Sequence, residues 1–190
     1  MKIEILSYMP RWRVEFQQIG QQLRQILGDG ALRIDHIGST SVPDLAAKDI
    51  IDVQISVASL DPALAAAMTA HGLPRVERIT HDHRPPTDHS PDHAWSKWFF
   101  KPGAESRPIN IHMRIAGNAN QRYALLFRDY LRATPLAAQA YAQVKMALAR
   151  RDAEDIDFYY DVKDPVCDII MAGAEGWAAH TGWQLGPSDA

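Results

Sequence analysis

The 190-residue chain reads as a single α+β domain, 1–190, with a mixed β-sheet, helices on one face of it and a helical C-terminal part. Three observations lead there. Apolar Trp12, Phe16, Ile19, Leu23, Ile26 and Leu27 recur at helical spacing, whereas Ile51, Val53, Ile55 and Val57, and later Ile109, Ile111, Met113 and Ile115, alternate with polar residues at the period of a strand. From about Asn120 to Trp177 the pattern turns helical again. With 46% hydrophobic residues, a chain of this length supports one core and buries roughly 70% of the surface it would expose unfolded.

Taken in order, residues 2 to 8 predict a short strand or extended lead-in, and Pro10 to Leu27 an amphipathic helix stopped by Gly28 to Gly30. Leu32, Ile34 and Ile37 mark a short strand ending in Gly38 and Ser39. Thr40, Ser41 and Pro43 then read as the cap and first turn of a short helix reaching Ala47. Ile51 to Val57 is a strand, and Asp61 to His71 a helix with Pro62 at its start and Gly72 at its end. The polar, proline-rich run THDHRPPTDHSPDHA, from Thr80 to Ala94, reads as a flexible loop. Trp95 to Lys101 and Pro108 to Ile115 follow as strands, then helices over Tyr123–Ala133, Leu136–Arg150 and Asp157–Ala179, with breaks near Pro135 and Asp152 to Asp155. Sheet and helices in this order leave one sheet face covered and the other open for function.

Charge and composition narrow the partners. A formal charge of -3 and a pI near 6.2 do not suit a general nucleic-acid binder, so a nucleotide or phosphorylated small molecule is expected. The one cysteine, Cys167, excludes an intramolecular disulfide, and its apolar helical setting from Val166 to Met171 suits a buried structural thiol. No stretch approaches the roughly 18 apolar residues of a membrane span, and a cytoplasmic protein is expected. No Gly-x-x-x-x-Gly-Lys-Ser/Thr run occurs, which disfavours P-loop kinase chemistry.

The chemistry concentrates in HIGSTSVPDLAAKDIIDVQISV, from His36 to Val57. A glycine turn followed by hydroxyls at a helix start offers backbone N–H groups to an anion, and Asp52 points from the next strand into the same space. Gly38, Ser39 and Thr40 are therefore candidate phosphate ligands, with Lys48 beside them. The same residues also suit an ordinary turn and a solvated strand face. Asn110, His112 and Arg114 alternate in the second strand just as Asp52 and Gln54 do in the first, and together supply an amide, an imidazole and a guanidinium fork. If the strands are neighbours, both polar faces make one site. His81, His83, His89 and His93 with Asp82, Asp88 and Asp92 match no zinc spacing, so that loop is expected to hold no metal. Arg128, Asp129, Arg132, Tyr141, Lys145, Tyr160 and Lys163 read mainly as caps and surface pairs, with room for one basic residue of the tail to reach over the cleft.

HIGSTSVPDLAAKDIIDVQISV, RPINIHMRIAG, QRYALLFRDYLRATP and YYDVKDPVCDIIMAGAEGWAAHTGW together resemble the GrpB family, and within it the GrpB-like domain fused to dephospho-CoA kinase in some actinobacteria. The resemblance runs from about Ile3 to Trp183. It implies a nucleotidyltransferase-like fold, in which the glycine-serine turn holds a triphosphate and two acids, two residues apart on the next strand, bind Mg²⁺. The implied cofactors are Mg²⁺ and ATP or another nucleotide. Asp52 matches the first acid; Gln54 stands where the second belongs, and the Asn110–Arg114 strand offers no third. On this reading Asp52 and His112 are the catalytic candidates, Asp52 is the metal ligand, and Gly38, Ser39, Thr40, Lys48, Gln54, Asn110 and Arg114 bind the cofactor. The outcome is either nucleotidyl or phosphoryl transfer, or a binding or folding-accessory module that keeps the fold without catalysis.

Overall fold

In the computed structural model, which describes residues 3–151 and 154–190, four strands form one sheet in the order β1-β2-β4-β3. These are β1 (Arg33–Ile37), β2 (Ile51–Val57), β3 (Trp98–Phe100) and β4 (Ile109–Ile115). β2 and β4 run parallel at the centre, and β1 and β3 pair antiparallel at the edges. The sheet is therefore mixed, as expected. Lys2 and the Asp152–Ala153 part of the predicted break lie outside the described residues.

Helices α1 (Arg11–Leu27) and α2 (Pro62–Ala70) cover the apolar sheet face. Trp12, Phe16 and Leu23 of α1 and Met68 of α2 form one core with Ile34, Ile51, Val53, Ile55, Ile111 and Met113. The alternation read from sequence thus decides which face packs. Asp61 caps α2 by accepting a hydrogen bond from the Ala63 N–H at 2.8 Å.

The chain from Ala119 onward forms α3 (Ala119–Ala133), α4 (Pro135–Arg151) and α5 (Ile156–Thr181). Asp155 caps α5 through the Phe158 N–H at 2.8 Å. These helices do not leave the second sheet face open. The Gln121 side-chain amide bonds Ser56 at 3.2 Å, and the Gln121 carbonyl accepts from Gln54 at 3.2 Å. Arg128 donates to the His36 carbonyl at 3.2 Å. α3 therefore lies across part of the polar face, and a cleft remains where it stops. Residues 186–190 close the β1 edge: the Ala190 N–H bonds the Ile34 carbonyl at 3.1 Å, and Asp189 pairs with Arg128 at 2.7 Å. Among the described residues no helix is long and apolar enough to cross a membrane.

Candidate functional site

The parallel register sets Asp52 opposite Asn110, Gln54 opposite His112 and Ser56 opposite Arg114. Both polar strand faces consequently meet on one side of the sheet, as their shared phase requires. Above them is a cavity of about 450 Å³, walled by the turn at Gly38, the segment from Ile79 to Phe99, and side chains of α3, α4 and α5.

The turn differs from its prediction. Only a 3₁₀ turn, Ser39–Ser41, follows Gly38, and Asp44 at φ +62° ends any helical continuation. Three residues make no helix dipole, so the anion argument loses its helix start. Thr40 is 2% exposed; its hydroxyl accepts from His36 Nε2 at 3.0 Å and donates to the Ile50 carbonyl at 3.2 Å, so it braces the turn and is not free for a ligand. His36 itself stacks on Phe16 with ring centroids 4.6 Å apart, and burial lowers its pKa to about 3. Gly38 is required by contact. At φ +69° it backs onto Asp52, and a Cβ there would stand 2.9 Å from the Asp52 Cβ and Cγ. Ser39 faces the cavity with its hydroxyl bonded by Lys145 Nζ at 2.7 Å.

Asp52 receives the Asn110 amide at 2.8 Å on Oδ1, while its side chain stays 24% exposed toward the cavity. Burial raises its pKa, opposed by the Asn110 hydrogen bond and the charge of Lys163. Gln54 is not in the cavity. Fully buried, it accepts from Arg114 and donates to the Gln121 carbonyl, which corrects its assignment as a cofactor ligand.

Arg114 is also engaged, because the polar segment, a loop as expected, makes hydrogen bonds of its own and folds against the cleft. Trp95 and Ser90 bond Asp88, Arg84 bonds Asp92 at 2.8 Å, and the chain carries Asp82 into the cleft. Arg114 grips Asp82 with Nε and Nη2, both at 2.8 Å, and Lys97 binds it at 2.6 Å. Burial works against this carboxylate, yet Arg114 and Lys97 hold its pKa well below the usual range. The Arg114 fork is therefore consumed by Asp82 and cannot serve as the expected phosphate clamp.

His112 likewise cannot neutralise charge. Its Nδ1 lies 3.2 Å from Lys97 Nζ and 3.3 Å from Arg114 Nη2, both obligate donors, so Nδ1 holds the lone pair and Nε2 carries the proton. Burial and then Arg114 push its pKa well below the ordinary imidazole value. It is a neutral donor whose Nε2 lies 4.0 Å from Asp52. Of the loop histidines, His81 bonds Thr80 and Ser96 and His83 pairs with Asp168 at 3.0 Å. Among the described residues no three His, Cys, Asp or Glu side chains are grouped as a metal would need.

Further positive charge at the cleft comes from Lys48 and the helical tail. Lys145 of α4 is 2% exposed, donates to Ser39 and to the Ala46 carbonyl at 2.6 Å, and has its pKa lowered to about 7 by burial and then by Lys163. Lys48 lies 4.2 Å from the Tyr159 ring centroid and 5.0 Å from that of Tyr160, with its pKa also lowered by burial. Lys163 of α5 lies 5.4 Å from the Tyr160 ring centroid and bonds Asp164 at 2.9 Å; burial opposes its charge, but Cys167 and Asp164 raise its pKa overall. Tyr123, Phe127 and Tyr141 continue the aromatic wall. Cys167 is buried, as expected, with its sulfur 3.5 Å from the Tyr141 hydroxyl. One signal for Lys145 was present in the sequence: it sits on the α4 stripe of Ala138, Tyr141, Ala142 and Leu148, where an apolar residue belongs.

For Mg²⁺, the donor set is thin. Among the described residues, Asp52 is the one carboxylate lining the cavity without a cation bonded to it; Gln54 is sealed away, Asp82 is held by Arg114 and Lys97, and Asp164 by Lys163. The residues suit a single ion that arrives on ligand phosphates, and do not suit a pair of protein-held ions.

A family model described as GrpB protein matches residues 2–172. A dephospho-CoA kinase from Mycolicibacterium paratuberculosis is 41% identical over 189 residues, covering 92% of this chain and 46% of that protein. The chain thus spans about half the length of the first curated relatives it matches. The UPF0157 protein BH1888 of Halalkalibacterium halodurans is 34% identical over 172 residues, covering 90% of this chain and 82% of that one. The crystal structure of a conserved protein GrpB from Enterococcus faecalis superposes with a TM-score of 0.72 at 30% identity, covering 92% of this chain and 99% of that one. On the family match and on this shared fold, the chain belongs to the GrpB family.

Proposed function

We propose that the cleft binds a nucleotide or another phosphorylated metabolite, with phosphates between the Gly38–Ser39 turn and Lys48, Lys145 and Lys163. The observation that carries this is the buried Lys145 bonded to Ser39, with Lys48 and the Asp164-paired Lys163 beside it, in a cavity whose Arg114 and Lys97 are already paired with Asp82. A charged amine is expensive to bury, and an anionic ligand repays that cost where Ser39 and Ala46 alone do not. Two buried acceptors on the cavity wall, Asn110 Oδ1 and Asn120 Oδ1, have no donor among the described residues. A nucleoside's hydroxyl or amino donors would reach these covered oxygens only if the wall side chains shift. The aromatic wall supplies a surface for its ring system.

Within this reading Asp52 would hold Mg²⁺ brought in with the phosphates, and the ion would supply charge stabilisation for nucleotidyl or phosphoryl transfer. The His112 Nε2–H donates to a ligand oxygen near Asp52. The second reading is a non-catalytic binding or folding-accessory module. It is favoured by the sealed Gln54 and by relatives named dephospho-CoA kinase, of which this chain matches about half.

Thermal shift with ATP, other nucleoside triphosphates, dephospho-CoA and sugar phosphates, each with and without Mg²⁺, tests both. A ligand at 100 times its dissociation constant stabilises by about 2.7 kcal/mol. Mg²⁺-dependent binding followed by product formation supports transfer, and binding without turnover supports the module. No stabilisation by any phosphorylated compound refutes the site.

A further inference from the structure

A second cavity, about 410 Å³, adjoins the cleft on the far side of Lys48, Ile50 and Asn110, which line both. Four isoleucines from separate parts of the chain converge on it: Ile3 of the lead-in, Ile50 before β2, Ile109 at the start of β4 and Ile156 at the start of α5. Its size is within the ordinary range for small-molecule sites, and its wall is mostly apolar.

The charges at this wall are unequal in what they have left to offer. Asp49 is spent: Trp12 bonds it at 2.7 Å, Arg11 at 2.6 Å and Arg107 at 2.6 Å. Glu4 is exposed to solvent. Lys48 and Lys101 pair with no acid among the described residues, and each is partnered only by aromatic rings, Lys101 at 5.7 Å from the Phe99 centroid. An apolar pocket with two unpaired ammonium groups at its rim selects an apolar body with a negative head.

We propose that this cavity is a binding site for a short amphiphilic anion, an aliphatic chain between Ile3, Ile50, Ile109 and Ile156 with its carboxylate or phosphate held by Lys48 and Lys101. Lys48 is shared with the cleft, so a nucleotide there competes for it, whereas Lys101, Ile3, Ile109 and Ile156 line this cavity alone. A bare anion is disfavoured because most of the wall gives it no donors, and an uncharged hydrocarbon because it leaves the two lysines unmatched.

The test uses butanoate, hexanoate and octanoate, the matching alcohols and octyl phosphate, with binding followed by isoleucine methyl resonances of the full chain. Octanoate is expected to saturate one site that moves the Ile109 and Ile156 methyls. Each added pair of carbons should tighten binding about tenfold, since a buried methylene contributes about 0.8 kcal/mol. Octanol should bind about tenfold more weakly. Lys101→Gln should weaken octanoate binding severalfold, Lys48 remaining, without changing octanol binding, and Ala104→Trp, which fills part of the cavity, should weaken both. Octyl phosphate binding more tightly than octanoate assigns the head to a phosphate, and the reverse assigns it to a carboxylate. Affinity that ignores chain length, equal binding of octanol and octanoate, or a Lys101→Gln variant with unchanged octanoate affinity overturns the proposal.

Discussion

Lys145→Met should stabilise the unliganded protein while impairing anion binding, a combination that a merely structural lysine would not produce. The side chain is 2% exposed and its pKa falls from 10.5 to about 7 on folding, mainly by desolvation. Below pH 7 both folded and unfolded states carry the proton, and the full penalty applies, roughly 5 kcal/mol from the shift. Between pH 7 and 10.5 the unfolded state binds more protons, so stability of the parent rises with pH. Against this, the substitution leaves the Ala46 carbonyl without its donor, costing about 1–3 kcal/mol, while the Ser39 hydroxyl can rotate to another partner. The net expectation is a gain of about 2–4 kcal/mol at pH 6. That gain should shrink by roughly 2–3 kcal/mol between pH 6 and 9, because deprotonation relieves the parent over this interval. Urea unfolding of both proteins at the two pH values measures the difference, with the remaining titrations common to both. Phosphate or nucleotide affinity of the variant should fall at least tenfold at pH 6. A pH-independent stability difference, or unchanged anion affinity, refutes the argument.

Three other substitutions separate structural from binding roles. Gly38→Ala should destabilise by about 1–3 kcal/mol, because the residue is at φ +69° and its Cβ overlaps Asp52; displaced Asp52 resonances together with a lower unfolding midpoint check this. Asp52→Asn should remove any Mg²⁺ dependence of nucleotide affinity and, since burial raises the Asp52 pKa, should not lower stability at neutral pH; adding Gln54→Glu should not restore Mg²⁺ binding, because Arg114 would take the new carboxylate. Full metal dependence in either variant, measured by calorimetry, contradicts this. Asp82→Asn strands Arg114 and Lys97 in the interior and should cost about 3–5 kcal/mol by chemical denaturation. In the parent, the depressed Asp82 pKa means its stabilisation is present above the unfolded carboxylate value near 3.9 and is lost as pH falls below it; acid unfolding that matches in parent and variant would contradict that.

What could be read without coordinates was whatever repeats with the geometry of a single element. Period-two alternation in β2 and β4 placed Asp52, Asn110, His112 and Arg114 on the polar side of their strands, and helical spacing located α1 and the helices of the tail. Two strands with the same phase in one sheet must share their faces, so the common floor of the cleft followed from pattern alone. Availability of each side chain did not follow, since it depends on partners far away in the chain. Gln54 and Arg114 look ready for a ligand in sequence, but Gln121, sixty-seven residues beyond Gln54, and Asp82, thirty-two before Arg114, consume them. Conversely, Lys145 shows in the sequence only as a charge on an apolar helix stripe, and it bonds the turn only because α4 folds back over Ser39, 106 residues upstream. Local sequence fixes direction along an element, whereas desolvation and pairing are set by packing between elements, and they decide which groups remain for chemistry.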